Sequence, residues 1–145
     1  MTPAARAGSY QYTYIGNTYT TVTPANGCYT TAQHLTITVV LPHRLPPNQF
    51  TAAAPKSFTV NDGVITWRGR PPVNGDTFYF NTDANGEIYN WQVSVQKLAM
   101  SGDVIYTDGT FNAGDSGTTD MVRNNRCRPH ATASNNYDQG SWAGP

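Results

Sequence analysis

Apolar and polar residues alternate with period two along most of this chain, the pattern of strands with one buried face. It is clearest from Thr77 to Leu98, TFYFNTDANGEIYNWQVSVQKL. Phe78 and Phe80 share one face there, with Tyr79 and Asn81 on the other. Further along, Tyr89, Trp91, Val93 and Val95 fall together, opposite Asn90, Gln92, Ser94 and Gln96. Between the two runs, Asp83-Ala84-Asn85-Gly86 predicts a tight turn, because Asn and Gly tolerate the positive φ of short hairpin loops. Ile88 is out of phase with Trp91, which predicts a bulge or a late strand start near Tyr89.

The rest of the chain repeats the pattern in shorter pieces. Ser9 to Ile15 places Tyr10, Tyr12 and Tyr14 on one face and predicts the first strand. Gly16-Asn17 turns the chain into Thr18 to Thr23, an opening hairpin. From His34 to Leu41, the residues Leu35, Ile37, Val39 and Leu41 point inward. The segment 42–55 holds four prolines, which exclude a central strand and predict a crossing between sheets or an edge position. Lys56–Val60 and Val64–Trp67 flank Asn61-Asp62-Gly63, a second hairpin. Asp103–Thr107 is a further strand and Thr118–Val122 a last short one. Arg123 to Pro145 shows no period and predicts an irregular tail pinned by Cys127. No helical period exceeds a turn. The fold class is therefore all-β: an antiparallel two-sheet β-sandwich, jelly-roll-like, with long loops. Residues 9–145 form one sandwich domain, and residues 1–8 read as a residual export signal or disordered tail.

Composition narrows the function. Charged residues are 12% of the 145 and the formal net charge is zero, about half the usual charged share. A neutral surface lacks the basic stripe that nucleic acid requires and the polybasic cluster that anchors to membranes. No apolar run is long enough to span a membrane. Low charge with high β-propensity also weakens the usual defence of sheet edges against association. Ala5-Arg6-Ala7 looks like the small-residue cleavage site that ends a secretory signal. Cys28 and Cys127 read as one structural disulfide of a secreted protein; closing a loop of about a hundred residues contributes roughly 4 kcal/mol in the chain-entropy model.

Candidate chemistry is sparse. Gly114-Asp115-Ser116-Gly117 resembles the nucleophile motif of trypsin-like serine proteases, and Thr31-Ala32-Gln33-His34 resembles their histidine segment. Thr118 replaces the expected second glycine, and the histidine segment lacks its following cysteine. A loop is the better reading, and no catalytic residue is assigned. His34, His43 and His130 share no ligand spacing, so no metal site is assigned. Asp83 to Glu87 resembles the start of a calcium loop but lacks its remaining positions, and a turn explains it better. Asp103, Asp108, Asp115 and Asp120 lie in acidic loops that could bind calcium jointly, and their spacing does not decide it. Arg123, Arg126 and Arg128 read as a solvated surface. No cofactor is implied. The aromatics carry more: three tryptophans and nine tyrosines exceed what a small core needs. Trp91 belongs to the core, while Trp67, Trp142, Tyr10, Tyr12 and Tyr14 are candidates to stack on sugar rings or a partner.

Several stretches together resemble the extracellular domains of bacterial PEP-CTERM proteins, which are sorted by an exosortase. They are YTYIGNTYTTV at Tyr12 to Val22, ITVVLPHRLPPN at Ile37 to Asn48, SFTVNDGVIT at Ser57 to Thr66, and FNTDANGEIYNWQVSV at Phe80 to Val95. Gly140-Ser141-Trp142 resembles the family's closing Gly-x-Trp. The family's Pro-Glu-Pro sorting signal, apolar helix and basic end do not occur in this sequence. The resemblance implies a secreted or surface-attached protein of exopolysaccharide-forming bacteria, and it carries over no catalytic residue. The expected function is thus a non-enzymatic structural protein of the cell surface or extracellular matrix, self-assembling by strand association. The alternative is a carbohydrate-binding module. The expected partners are copies of itself or exopolysaccharide.

Overall fold

Alternation of this kind becomes twelve antiparallel strands in the structure, a computed structural model that describes residues 8–23, 28–69, 76–96, 104–108, 118–124, 131–136 and 140–145. In chain order they are β1 (Tyr10–Ile15), β2 (Thr21–Thr23), β3 (Thr36–Leu41), β4 (Phe50–Ala52), β5 (Ser57–Asn61) and β6 (Thr66–Gly69). They continue as β7 (Thr77–Thr82), β8 (Ile88–Gln96), β9 (Val104–Asp108), β10 (Thr118–Asn124), β11 (Ala131–Asn136) and β12 (Ser141–Ala143). A five-stranded sheet runs β12-β1-β3-β5-β6, and a seven-stranded sheet runs β2-β11-β10-β9-β8-β7-β4. The result is an all-β sandwich. No helix long and apolar enough to cross a membrane occurs among the described residues.

Strands β7 to β11 form a meander, and β2 and β4 are added at its two margins. The proline-rich segment does both things its composition predicts: it crosses from β3 to the other sheet, and its one strand, β4, lies at an edge. Two expectations fail. The segment after Gly16 does not fold back as a hairpin on β1, because it crosses to the opposite sheet, where β2 pairs with β11. Tyr19 directs the crossing: its ring is buried and its backbone N–H donates to the Gln33 carbonyl at 2.9 Å. Nor is Arg123 to Pro145 uniformly irregular, since β10 runs on to Asn124 and β11 and β12 follow.

The core fills the space between the sheets. Tyr12, Tyr14, Ile37, Val39, Phe58 and Val60 enter from one side, and Phe78, Phe80, Trp91, Val93, Val95 and Ile105 from the other. Each such side chain contributes roughly 1.5–3 kcal/mol by leaving water. At one end the rings converge: Tyr14 lies 5.4 Å from Trp91 and 5.3 Å from Trp142, and Phe80 meets Trp142 edge-on at 5.2 Å. The Gly140-Ser141-Trp142 motif makes this possible. Gly140 packs so closely on β1 that a Cβ would sit 2.2 Å from the Ile15 carbonyl oxygen. Its N–H donates to the Tyr14 hydroxyl at 3.1 Å, and Tyr14 and Trp142 are partners in register.

A buried polar knot holds the β5–β6 turn. Asp62 is fully buried, and its Oδ1 accepts from the Val64 and Ile65 N–H groups at 2.8 and 2.7 Å. Its Oδ2 accepts from the Tyr29 hydroxyl at 2.6 Å, and its carbonyl from the Tyr19 hydroxyl at 2.8 Å. One residue thus joins three segments: the Asp62 carboxylate ties the segment after Cys28 to the β5–β6 hairpin, and its backbone carbonyl ties in the β1–β2 crossing. Gly63 takes φ of 97° to close that turn, a conformation glycine adopts without steric cost. Cys28 is disulfide-bonded; the sequence has one other cysteine, Cys127, which lies outside the described residues.

Candidate ligand-binding site

The aromatics singled out from the sequence do not share one open face: Tyr12, Tyr14 and Trp67 are buried, while Tyr10 and Trp142 are half-buried. Tyr12 and Tyr14 are buried because their face of β1 packs against the opposite sheet, where the Tyr14 ring meets Trp91. Trp67 is buried too, opposite Val60 in register. Tyr10 is half-buried, with the Arg44 guanidinium 6.0 Å from its ring centroid. Trp142 is half-buried against Tyr14, Phe80 and Trp91. Period-two alternation groups residues by face without saying which face is wet, and here the aromatic face is the dry one.

The exposed rings are others. Phe50 is 52% and Tyr89 61% exposed. Tyr89 follows from the bulge: Asn81 pairs with Asn90 and Thr82 with Ile88, so Tyr89 is the extra residue. An extra residue breaks the alternation, so Tyr89 turns outward instead of joining Trp91, Val93 and Val95 in the core. Phe50 sits on the edge strand β4, opposite Asn81, and its ring lies 5.5 Å from that of Tyr79. Polar loop chemistry in 42–55 hid this residue in the sequence; the exposed Tyr89 was signalled only by the phase break at Ile88.

These rings border a cleft of about 290 Å³ lined by Asn48, Gln49, Phe50, Asn81, Thr82, Asp83, Ala84 and Tyr89. Its walls are held from both sides. The Asn48 N–H donates to the Asp83 carbonyl at 2.9 Å and the Thr82 N–H to the Gln49 carbonyl at 3.1 Å, while the Thr82 hydroxyl donates to the Pro46 carbonyl. Asp83 is fixed by the β7–β8 turn. Its Oδ1 accepts from the Asn85 N–H at 2.8 Å and the Glu87 N–H at 3.0 Å. Gly86 closes the turn with φ of 80°. The segment expected to be a turn, Asp83 to Gly86, is that turn. Next to the cleft, the outer face of β7 and β8 presents Thr77, Tyr79, Asn90, Gln92 and Ser94, all half-buried. Amides and hydroxyls both donate and accept, and they match a ligand rich in hydroxyl groups.

A second cleft, of about 250 Å³, uses the other end of the same turn: it is lined by Tyr12, Glu87, Ile88, Trp142, Ala143 and Gly144. Among the described residues, no three His, Cys, Asp or Glu side chains converge as a metal site would need. His43 is exposed, His34 is half-buried, and their rings lie apart from both clefts' linings. Gly114 to Gly117, His130, Arg126, Arg128, Asp103 and Asp115 lie outside the described residues. No protein-family model, curated protein or solved structure matches this chain.

Proposed function

We propose that this protein is a secreted, non-enzymatic β-sandwich that binds extracellular polysaccharide in the Phe50–Tyr89 cleft. The observation that carries the reading is two solvent-exposed rings, Phe50 and Tyr89, bordering one cleft whose other lining residues are three amides, Thr82, Asp83 and Ala84. Ring faces stack on the C–H faces of sugars, and flanking amides satisfy their hydroxyls. The neutral composition supports this over a nucleic-acid or lipid partner. Sedimentation with insoluble polysaccharides, and titration with soluble ones, test it directly. Removing either ring, Phe50→Ala or Tyr89→Ala, weakens binding about tenfold, the equivalent of roughly 1.4 kcal/mol. Both rings are exposed, so thermal stability stays near wild type. Unchanged binding in the double variant refutes the assignment.

A second reading, association between copies, is favoured by β4: it ends its sheet among the described residues and carries exposed Phe50. Against it, among the described residues the four strands that end the sheets, β2, β4, β6 and β12, are three or four residues long, and short edges resist pairing. Mass in solution and negative-stain microscopy separate the readings: fibres lost on Phe50→Lys support assembly, and a monomer at high concentration excludes it.

A further inference from the structure

We propose that the cleft is selective for polymers of amino sugars, with Asp83 as the residue that recognises the ammonium group. This rests on the polysaccharide reading above and specifies its ligand. Charge complementarity carries it. Asp83 carries the one carboxyl group among the residues lining the cleft, and no lysine, arginine or histidine lines it. The neighbouring cleft repeats the arrangement with Glu87. The guanidinium of Arg44 lies over the Tyr10 ring instead.

Geometry makes Asp83 a fixed acceptor. Its Oδ1 is occupied by two backbone N–H groups, its N–H donates to the Glu87 carbonyl at 2.9 Å, and its own carbonyl accepts from Asn48 and Gly86. Its Oδ2 accepts no hydrogen bond among the described residues, which leaves one carboxylate oxygen for a ligand. An ammonium group beside a sugar hydroxyl meets that oxygen with a charge-assisted hydrogen bond while Phe50 or Tyr89 takes the ring face. A uronate polymer would bring its carboxylate to the same place, without a cation to receive it.

Isothermal titration at pH 6 compares three oligomers of matched length: a β-linked glucosamine, its fully N-acetylated form, and a uronic acid. The wild type should bind the glucosamine oligomer about tenfold more tightly than the N-acetylated one and the uronate weakest. The preference should shrink as salt is raised. Asp83→Asn keeps an oxygen for the two turn hydrogen bonds, so the hairpin stays. This variant should lose the tenfold preference while holding its affinity for the N-acetylated oligomer. Equal wild-type affinity for the two glucosamine forms overturns the selectivity and leaves the polysaccharide reading intact, whereas binding of no oligomer overturns both. A preference that survives Asp83→Asn but disappears in Glu87→Gln overturns the assignment to Asp83.

Discussion

Changing Tyr29 to phenylalanine removes one oxygen atom and no carbon, so its effect reports on the hydrogen bonding of that hydroxyl, including its bond to Asp62. That bond is 2.6 Å long, and its acceptor is a carboxylate with no exposed surface. A hydrogen bond to a charged group contributes about 1.5–3 kcal/mol, against about 0.5–1.5 kcal/mol for a neutral pair. The nearby Tyr19→Phe change is the internal standard, because the Tyr19 hydroxyl donates to the neutral carbonyl of the same Asp62 at 2.8 Å. Tyr29→Phe should therefore lose about 2–3 kcal/mol and Tyr19→Phe about 1 kcal/mol. At this chain length the first corresponds to a fall in Tm of roughly 4–12 °C. Urea unfolding of the oxidised protein, followed by tryptophan fluorescence, measures both. A cycle with Asp62→Asn adds the decisive arm: once the charge is gone, Tyr29→Phe should cost no more than a neutral pair. Equal losses for the two tyrosines in wild type, or an undiminished loss in the Asp62→Asn background, would refute the claim that this buried carboxylate anchors the knot.

Two further outcomes follow from the core. Burial pushes the Tyr12 phenol above its ordinary value of 10.0, and the hydrogen bond from the Leu45 N–H and the charge of Arg44 offset this only in part. A proton held more tightly when folded stabilises fully below the unfolded pKa and is lost as pH rises through the folded one. Wild type should therefore lose stability above about pH 10 more steeply than Tyr12→Phe in paired urea titrations; parallel slopes contradict this. Gly140→Ala puts a Cβ 2.2 Å from the Ile15 carbonyl oxygen and 2.5 Å from the Gly16 Cα. Backbone atoms cannot swing aside, so a loss of about 3 kcal/mol is expected, with altered Trp142 fluorescence; a wild-type melting curve would show the contact to be looser than described.

Strand phase was readable wherever large apolar residues alternate with polar ones. β3 buries Ile37, Val39 and Leu41, the β7–β8 hairpin turns at Asp83 to Gly86, and its bulge falls at Tyr89. What the alternation hides is the partner of each strand. β11, ATASNN, has small and polar residues on both faces, so no period marks it, yet its Ala133 is buried beneath the sheet. β2 is legible as extended but not as a partner of β11, because the tie that carries it there is a tyrosine hydroxyl reaching a carbonyl 43 residues away. The candidate site was missed for a related reason. Tyr10, Tyr12 and Tyr14 look like a wet aromatic stripe until the opposite sheet packs onto that face of β1 and buries Tyr12 and Tyr14. Phe50, in a proline-rich stretch with no alternation, looks like nothing until β4 sets it beside Tyr79.

The pairing of β1 with β12 has a mechanical consequence. The two strands run antiparallel, with Thr13 opposite Ala143 and Ile15 opposite Ser141, so the chain enters β1 and leaves β12 at the same end of the sheet. Tension applied through flanking tethers would therefore pull along the direction of the cross-strand hydrogen bonds and break them one after another, like opening a zipper. Shearing, which loads all the bonds at once, would need the tethers at opposite ends. A molecule attached in this way gives way at low force, first exposing the Trp142 cluster. It suits a domain that holds a ligand on its face better than one that carries load from end to end.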